Sequence, residues 1–461
     1  MPKHVYGPTF EEMLHPDRIP GDIRQKALKA LKDAPLNPIN LFNITWKDAA
    51  NRVRYIVLEK ALTGVDANIV VLYGKEFPTG SHKVGPTYSV AMENQLHGEI
   101  EPGVHTLVWP STGNYGIGGA WVGPRLGYKS VVVLPEQMSQ ERFDRIKSYG
   151  ATYIATPGCE SNVKEIYDAC KELSKQGEVR VLNQFEAMAN YRFHYHVTGN
   201  SVAEAVGDLK DRGVGNGRAA AFISAMGSAG TIAAGDLLKQ RFAECRVVGL
   251  EPIQCPTLYM NGYGGHDIQG IGDKHVTWIH NVLNMDTLIC VDDIESKKGL
   301  QLFSDPAGRE YLVKEAGVSQ ELADKLATHF GISGVANILG AIKTAKFYGF
   351  GPKETVVTVA TDAIDRYPSV MAEMAKQYGA INRPRAAAYF EGTFHGVKLD
   401  WVQEGDWLNR QRWHNLKYYT WVEQQGKSVD ELNAQRRPEW WEAHQEQVAL
   451  FDRRLREARG F

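Results

Sequence analysis

Short apolar runs recur along the chain, and most lack the polar alternation of a half-exposed strand. They occupy residues 69–72, 106–109, 130–134, 152–155, 179–181, 220–223, 246–250 and 355–359. Runs of this kind fit strands buried on both faces of a parallel sheet. Between residues 134 and 151 the spacing predicts a helix, with Pro135 near its start, Phe143 and Ile146 on one face, and Gly150 as its stop. Strand and helix alternate in this way through most of the chain, which predicts an α/β fold of doubly wound parallel sheets.

The two ends break the rhythm. Residues 24–32 are a helix-like stretch between proline-rich flanks, within an N-terminal arm of residues 1–48. The tail, residues 381–461, holds six of the ten tryptophans: Trp401, Trp407, Trp413, Trp421, Trp440 and Trp441. Trp441, Val448, Phe451 and Leu455 recur at helical spacing, and the box from Ser428 to Glu431 is expected to cap a preceding helix. Aromatic side chains at this density predict packing, against the main body or a second subunit. The core between the ends is expected at 49–380, with a smaller subdomain at roughly 90–200.

Composition narrows the class. With 43% apolar and 23% charged residues in a chain of 461, an ordinary globular protein of two or three domains is expected. Its 52 basic and 54 acidic residues leave a net charge of −2, which gives no reason to invoke nucleic acid or an anionic membrane. No basic n-region with an apolar h-region opens the sequence, and the reading is cytoplasmic. The five cysteines, Cys159, Cys170, Cys245, Cys255 and Cys290, show neither Cys-x-x-Cys nor Cys/His ligand spacing, so no disulfide framework or metal is expected. His194 and His196 lie two apart, a spacing that suits a strand face rather than a helical metal pair. His266, in a glycine turn, reads as a solvated loop histidine, with a substrate contact as the alternative.

Four polar or glycine-rich turns each follow a predicted strand. The first ends on Lys83, after Pro78-Thr79-Gly80-Ser81-His82; the second is Ser111-Thr112-Gly113-Asn114-Tyr115-Gly116. The third begins Asn183-Gln184, and the fourth is Gly227-Ser228-Ala229-Gly230-Thr231. At the C-terminal ends of parallel strands, such turns converge where α/β proteins bind ligands. A lysine amine, a small-residue turn opening a helix, and further polar turns are what a phosphorylated aldehyde cofactor requires. The amine joins the aldehyde, and backbone N–H groups at the helix start hold the phosphate. Each turn alone is unremarkable.

As an ordered set, they resemble the cysteine synthase/cystathionine β-synthase superfamily, the tryptophan-synthase-β-like, fold type II group of pyridoxal-phosphate (PLP) enzymes. Blocks at 78–83, 111–116, 183–185, 227–231, 248–252, 268–272 and 331–334 come in the family's order and span roughly residues 50–370. By this resemblance Lys83 is the Schiff-base and catalytic lysine, and Asn114 bonds the cofactor hydroxyl. Gly227, Ser228, Ala229, Gly230 and Thr231 form the phosphate cup. Ser111, Thr112, Gly113, Tyr115 and Gln184 bind the substrate. The partner of the ring nitrogen falls at Thr361 or Asp362; the family's use of hydroxyl or thiol side chains there favours Thr361. His82 matches the tryptophan synthase branch, but Ser111 stands where that branch has a catalytic glutamate, and Tyr115 replaces a small hydroxyl residue. The implied activity is β-replacement or β-elimination on a small L-amino acid of the serine, cysteine or O-acetylserine type, through an aminoacrylate. A serine/threonine ammonia-lyase uses the same early steps. A PLP-binding regulatory partner with little activity alone is a third reading, motivated by the arm and tail. The resemblance also implies a homodimer.

Overall fold

The computed structural model describes residues 4–111, 113–159 and 161–460. Thr112, expected to bind substrate, lies outside the described residues. Among those described, eleven strands form two sheets. The smaller sheet comprises β3 (Thr106–Pro110), β4 (Lys129–Pro135), β5 (Thr152–Thr156) and β6 (Val179–Val181), in the order β5-β4-β3-β6 with every pair parallel. The larger sheet contains β1 (Tyr55–Leu58), β2 (Asn68–Tyr73), β7 (Ala219–Ala225), β8 (Arg246–Pro252), β9 (Thr287–Val291), β10 (Thr355–Ala360) and β11 (Val402–Glu404). Its order is β1-β2-β10-β7-β8-β9-β11.

All eight apolar runs are strands. The middle of the larger sheet is the most apolar: every residue of β10 and β9 is buried, and helix Ile332–Tyr348 covers one face with Val335, Ile338, Leu339 and Ile342. The sheet is parallel from β2 to β9, but its edge strands β1 and β11 run antiparallel to their neighbours. Both edges are half-exposed, which is tolerable for antiparallel strands. The expected helix forms over Gln140–Ser148, with Pro135 ending β4 rather than opening the helix.

The ends are integral to the body. The tail contributes β11, paired to β9, and helix Pro438–Arg459 buries Trp441, Val448, Phe451 and Leu455 on one face, as their spacing predicted. Val448, Phe451 and Leu455 pack in the same core as Phe10 and Met13 of the arm. Asp452 on this helix accepts hydrogen bonds from the amides of Phe10 (2.7 Å) and Glu11 (3.0 Å), capping the arm's helix Phe10–Leu14. The Ser428–Glu431 capping box opens the following helix, Val429–Ala434, and not a preceding one. The reason is geometric, since a capping box satisfies amides at a helix start. No described helix is long and apolar enough to cross a membrane.

Candidate active site

The parallel strands of each sheet end at the same edge, and loops leaving them meet. Gly74, just after β2, donates its amide to Ala360 O at the end of β10 (2.8 Å). A Cβ at Gly74 would come within 2.6 Å of Thr361 O and 2.7 Å of the His82 amide, so only glycine lets these two strand exits cross. That crossing sets the Lys83 turn beside Thr361.

Lys83 immediately precedes helix Val84–His97, and its amine donates to Ser228 Oγ at 3.1 Å. Burial lowers its pKa to about 8, against the opposing pull of the Asp273 charge. A useful fraction of the amine is therefore unprotonated near neutrality. One cavity is lined by Lys83, Ser224, Gly227, Ala229, Gly230, Thr231, Gly270, Asn337 and Thr361. The loop after β7 thus lines the same cavity as the lysine. Ala229 holds a left-handed backbone (φ 57°), which costs a non-glycine residue roughly 1–2 kcal/mol and is characteristic of functional loops.

The loop is braced from behind. Asn190 Nδ2 donates to Ser228 Oγ (3.1 Å) and Gln184 O (2.9 Å), tying the loop to the third turn. His82 Nε2 lies 3.3 Å from Thr231 Oγ1, and its ring packs against Trp46 and His194. Burial first, then the Lys83 charge, hold His82 well below its ordinary pKa, so it is neutral. Asn337 receives the Ala225 amide and donates to Val359 O, both at 2.8 Å, which clips the ends of β7 and β10 together. Asn190 and Asn337 escaped sequence reasoning; their one signal was a buried amide in an otherwise apolar helical stretch.

Thr361 and Asp362 part company. Thr361 lines the lysine cavity, whereas Asp362 turns into a buried polar network. Asp362 Oδ2 accepts from Asn114 Nδ2 (2.7 Å) and Tyr367 OH (2.9 Å), and lies 3.7 Å from Arg142 and 4.0 Å from Arg366. Arg366 donates to Asn114 Oδ1 at 2.6 Å. Asn114 is thus engaged on both ends of its amide.

Of the substrate-binding expectations, Ser111 is buried and acts as a turn lock: its Oγ accepts the amides of Gly113 (2.9 Å) and Gly116 (2.7 Å). Gly113 adopts φ 146°, the conformation that swings the chain into helix Asn114–Arg125. Tyr115 is a correction: its hydroxyl donates to Leu182 O (3.1 Å) and its ring packs on Trp109 in the core, because a large aromatic one residue into this helix faces the sheet. Gln184 donates to Pro110 O (3.3 Å), joining the second and third turns. His266 is also a correction. It is buried rather than solvated, with Nε2 2.9 Å from Gly272 O and Nδ1 accepting the Ile268 amide, and so folds the 266–272 loop on itself. His194 and His196 occupy a π-helical turn, Phe193–Thr198, and not a strand.

The residues present fit a phosphorylated pyridoxal group. The Lys83 amine, Thr231, a small-residue turn opening a helix and Thr361 surround one cavity, and the Ser228 hydroxyl lies 3.1 Å from that amine.

Comparison with known proteins leads the same way. Residues 63–362 match the family model described as pyridoxal-phosphate dependent enzyme. A cysteine synthase of Staphylococcus aureus (strain Mu50 / ATCC 700699) is 34% identical over 310 residues, covering 66% of this chain and 90% of its own. Among solved structures, a hydrogen sulfide-producing enzyme of Fusobacterium nucleatum, complexed with an alpha-aminoacrylate intermediate, is 25% identical with a TM-score of 0.56. The match covers 66% of this chain and 83% of that one. Cysteine synthase of Entamoeba histolytica, at 21% identity and TM-score 0.59 over 74% of this chain and 92% of its own, shares the fold. Because the matched stretch of 63–362 contains the lysine turn, the small-residue loop and the exit of β10, the chain belongs to the pyridoxal-phosphate dependent enzyme family.

Proposed function

We propose that the chain removes or replaces the β-substituent of a small L-amino acid of the serine type, with Lys83 as its central residue. The observation that carries this is the half-buried Lys83 amine, 3.1 Å from the first hydroxyl of the small-residue loop and in one cavity with Thr361. When bound, PLP supplies the electron sink that accepts the pair left at the substrate Cα. Lys83 Nζ would hold the cofactor, and its free amine would be the base for the substrate Cα proton. Its lowered pKa suits both tasks. Gly227, Ser228, Ala229, Gly230 and Thr231 would hold the phosphate, and Thr361 would meet the ring nitrogen; its neutral hydroxyl would favour departure of the β-group over reprotonation at Cα. Asn114 would meet the cofactor hydroxyl, and Ser111, Gly113 and Gln184 would shape the wall where the substrate carboxylate sits.

The 1–48, 49–380 and 381–461 division belongs to this reading, as do a cytoplasmic location and a homodimer. Support for association comes from Leu408, Tyr419 and Val429, exposed around one surface depression of the tail. The test of function is the visible absorption spectrum of the purified protein, titrated with L-serine, L-cysteine, O-acetyl-L-serine and L-threonine. A cofactor band that shifts with one of them, and that Lys83→Ala abolishes, supports the reading. Full turnover by Lys83→Ala would sink it. Product analysis with and without an added thiol separates replacement from elimination.

A further inference from the structure

The loop after β8 runs beneath the small-residue loop and carries an acid that the fold does not use. Gly272 donates its amide to Met226 O at 2.8 Å, and a Cβ at Gly227 would come within 2.8 Å of Gly270 O. The next residue, Asp273, is 5% exposed. Its backbone carbonyl accepts from Thr257 Oγ1 (2.8 Å), yet neither carboxylate oxygen has a hydrogen-bond partner among the described residues. It lines a cavity with Gly227, Ala229, Glu251, His275, Thr277 and His280.

Two other buried acids show what a structural role looks like. Asp236 accepts from Tyr191 OH (2.7 Å), Asn281 (2.9 Å) and Asn284 (2.5 Å). Glu251 accepts the amides of Leu258 (3.0 Å) and Tyr259 (2.8 Å). Asp273 has nothing of the kind, and a buried carboxylate without donors costs the fold free energy. Groups retained at such cost cluster in active sites. The surrounding titratable groups are Lys83, Glu251, Cys255, Tyr167, His275 and His280. Burial holds both histidines at about 3, hence neutral, while Lys83 supplies the opposite charge. Burial lifts Asp273 itself to about 7, so it both gives and takes a proton near neutrality.

We infer that Asp273 is a second acid–base residue of the site, giving its proton to the departing β-group and regaining one from a neutral incoming nucleophile. This rests on the function proposed above. As the bond from Cβ to the leaving heteroatom breaks, that atom takes the bonding pair and the Asp273 proton. As the nucleophile adds, its lone pair forms the new bond to Cβ, its proton passes to the Asp273 carboxylate, and the Cα–Cβ π pair moves to Cα, where Lys83 returns the first proton. The two half-cycles balance. A proton donor at this place selects β-groups that leave as strong bases, hydroxyl or thiol, over groups such as acetate that leave without a proton.

Two measurements on Asp273→Asn test this, with Asp273→Ser as a second variant. In the ligand-free chain, the pH profile of Lys83 acetylation, followed by mass spectrometry, should move to lower pH, because the Asp273 charge raises the Lys83 pKa. An unchanged profile overturns the proximity the role requires. With cofactor bound, release from L-serine and L-cysteine relative to release from O-acetyl-L-serine should fall by about 10²–10⁴-fold. An equal loss on all three overturns the role. A parent protein inert on all three, with the acetylation shift intact, places the failure in the functional reading instead.

Discussion

Lys83 Nζ and Ser228 Oγ, 145 residues apart in the chain, meet at 3.1 Å and join the exits of β2 and β7. Ser228 also receives Asn190, so this hydroxyl is the junction of three turns. Ser228→Ala should cost about 1 kcal/mol of stability, one net hydrogen bond. It should also weaken PLP binding by roughly tenfold through the lost phosphate donor. Denaturant titration and cofactor titration measure the two effects separately.

Thr361 and Asp362 are adjacent but should fail differently. Thr361→Val keeps the shape and should leave stability within about 1 kcal/mol while changing the absorption band of the bound cofactor. Asp362→Asn removes the carboxylate that Arg142 and Arg366 share, and should cost about 3–5 kcal/mol. A stable Asp362→Asn protein with an altered band would reverse the two assignments.

Asp273 should be a stability defect as well as a tool. Its folded pKa of about 7 exceeds its unfolded value of 3.8, so the folded state binds more protons between those limits and loses stability as pH rises through them. Asp273→Asn should therefore raise the melting temperature of the ligand-free chain by several degrees at pH 8, with the gain vanishing below about pH 4. Melting curves across that range check the sign.

Glu11 has the opposite sign. His196, with Nε2 3.5 Å from its carboxylate, lowers it to about 2, with Arg18 and His15 assisting against partial burial. Its contribution is present above pH 4.5 and is lost as pH falls towards 2. Glu11→Gln should lower the melting temperature at neutral pH, with the difference from the parent shrinking as pH falls from 4.5 towards 2.

Trp421 is fully buried, donates to Val276 O at 2.8 Å, and packs on Tyr167 of the smaller sheet's flank and Trp278 of the larger body. Trp421→Ala should cost about 3–5 kcal/mol. Hydrogen exchange should quicken at residues 163–170 and 276–282, next to Asp273, while helix Ile332–Tyr348 stays protected.

What could be read in advance follows from burial. Runs closed on both faces, such as β10, announce themselves as apolar sequence; the edge strand β11, Val-Gln-Glu, does not, whereas the edge strand β1, Tyr-Ile-Val-Leu, was readable but was not among the expected strands. β9, Thr-Leu-Ile-Cys-Val, matched the pattern and was readable, but was not among the expected strands. Lys83 and the small-residue loop were legible because cofactor chemistry restricts residue type there. Asp273 was not, because its distinction is a missing partner, which only three dimensions reveal. The same holds for His266 and Tyr115, whose partners lie across folds of backbone that spacing does not describe.

The clasp between arm and tail bears on the order of synthesis. Phe10 leaves the ribosome early, yet the carboxylate that caps its helix lies 442 residues later. During elongation Phe10 and Met13 can pack only on the earlier part of their core, such as Leu41 and Trp46, since the surface formed by Val448, Phe451 and Leu455 does not yet exist. A five-residue helix is too short to persist unaided. Capping of this helix by Asp452 is therefore among the last folding events, and a prematurely ended chain would leave the arm's apolar face only partly covered.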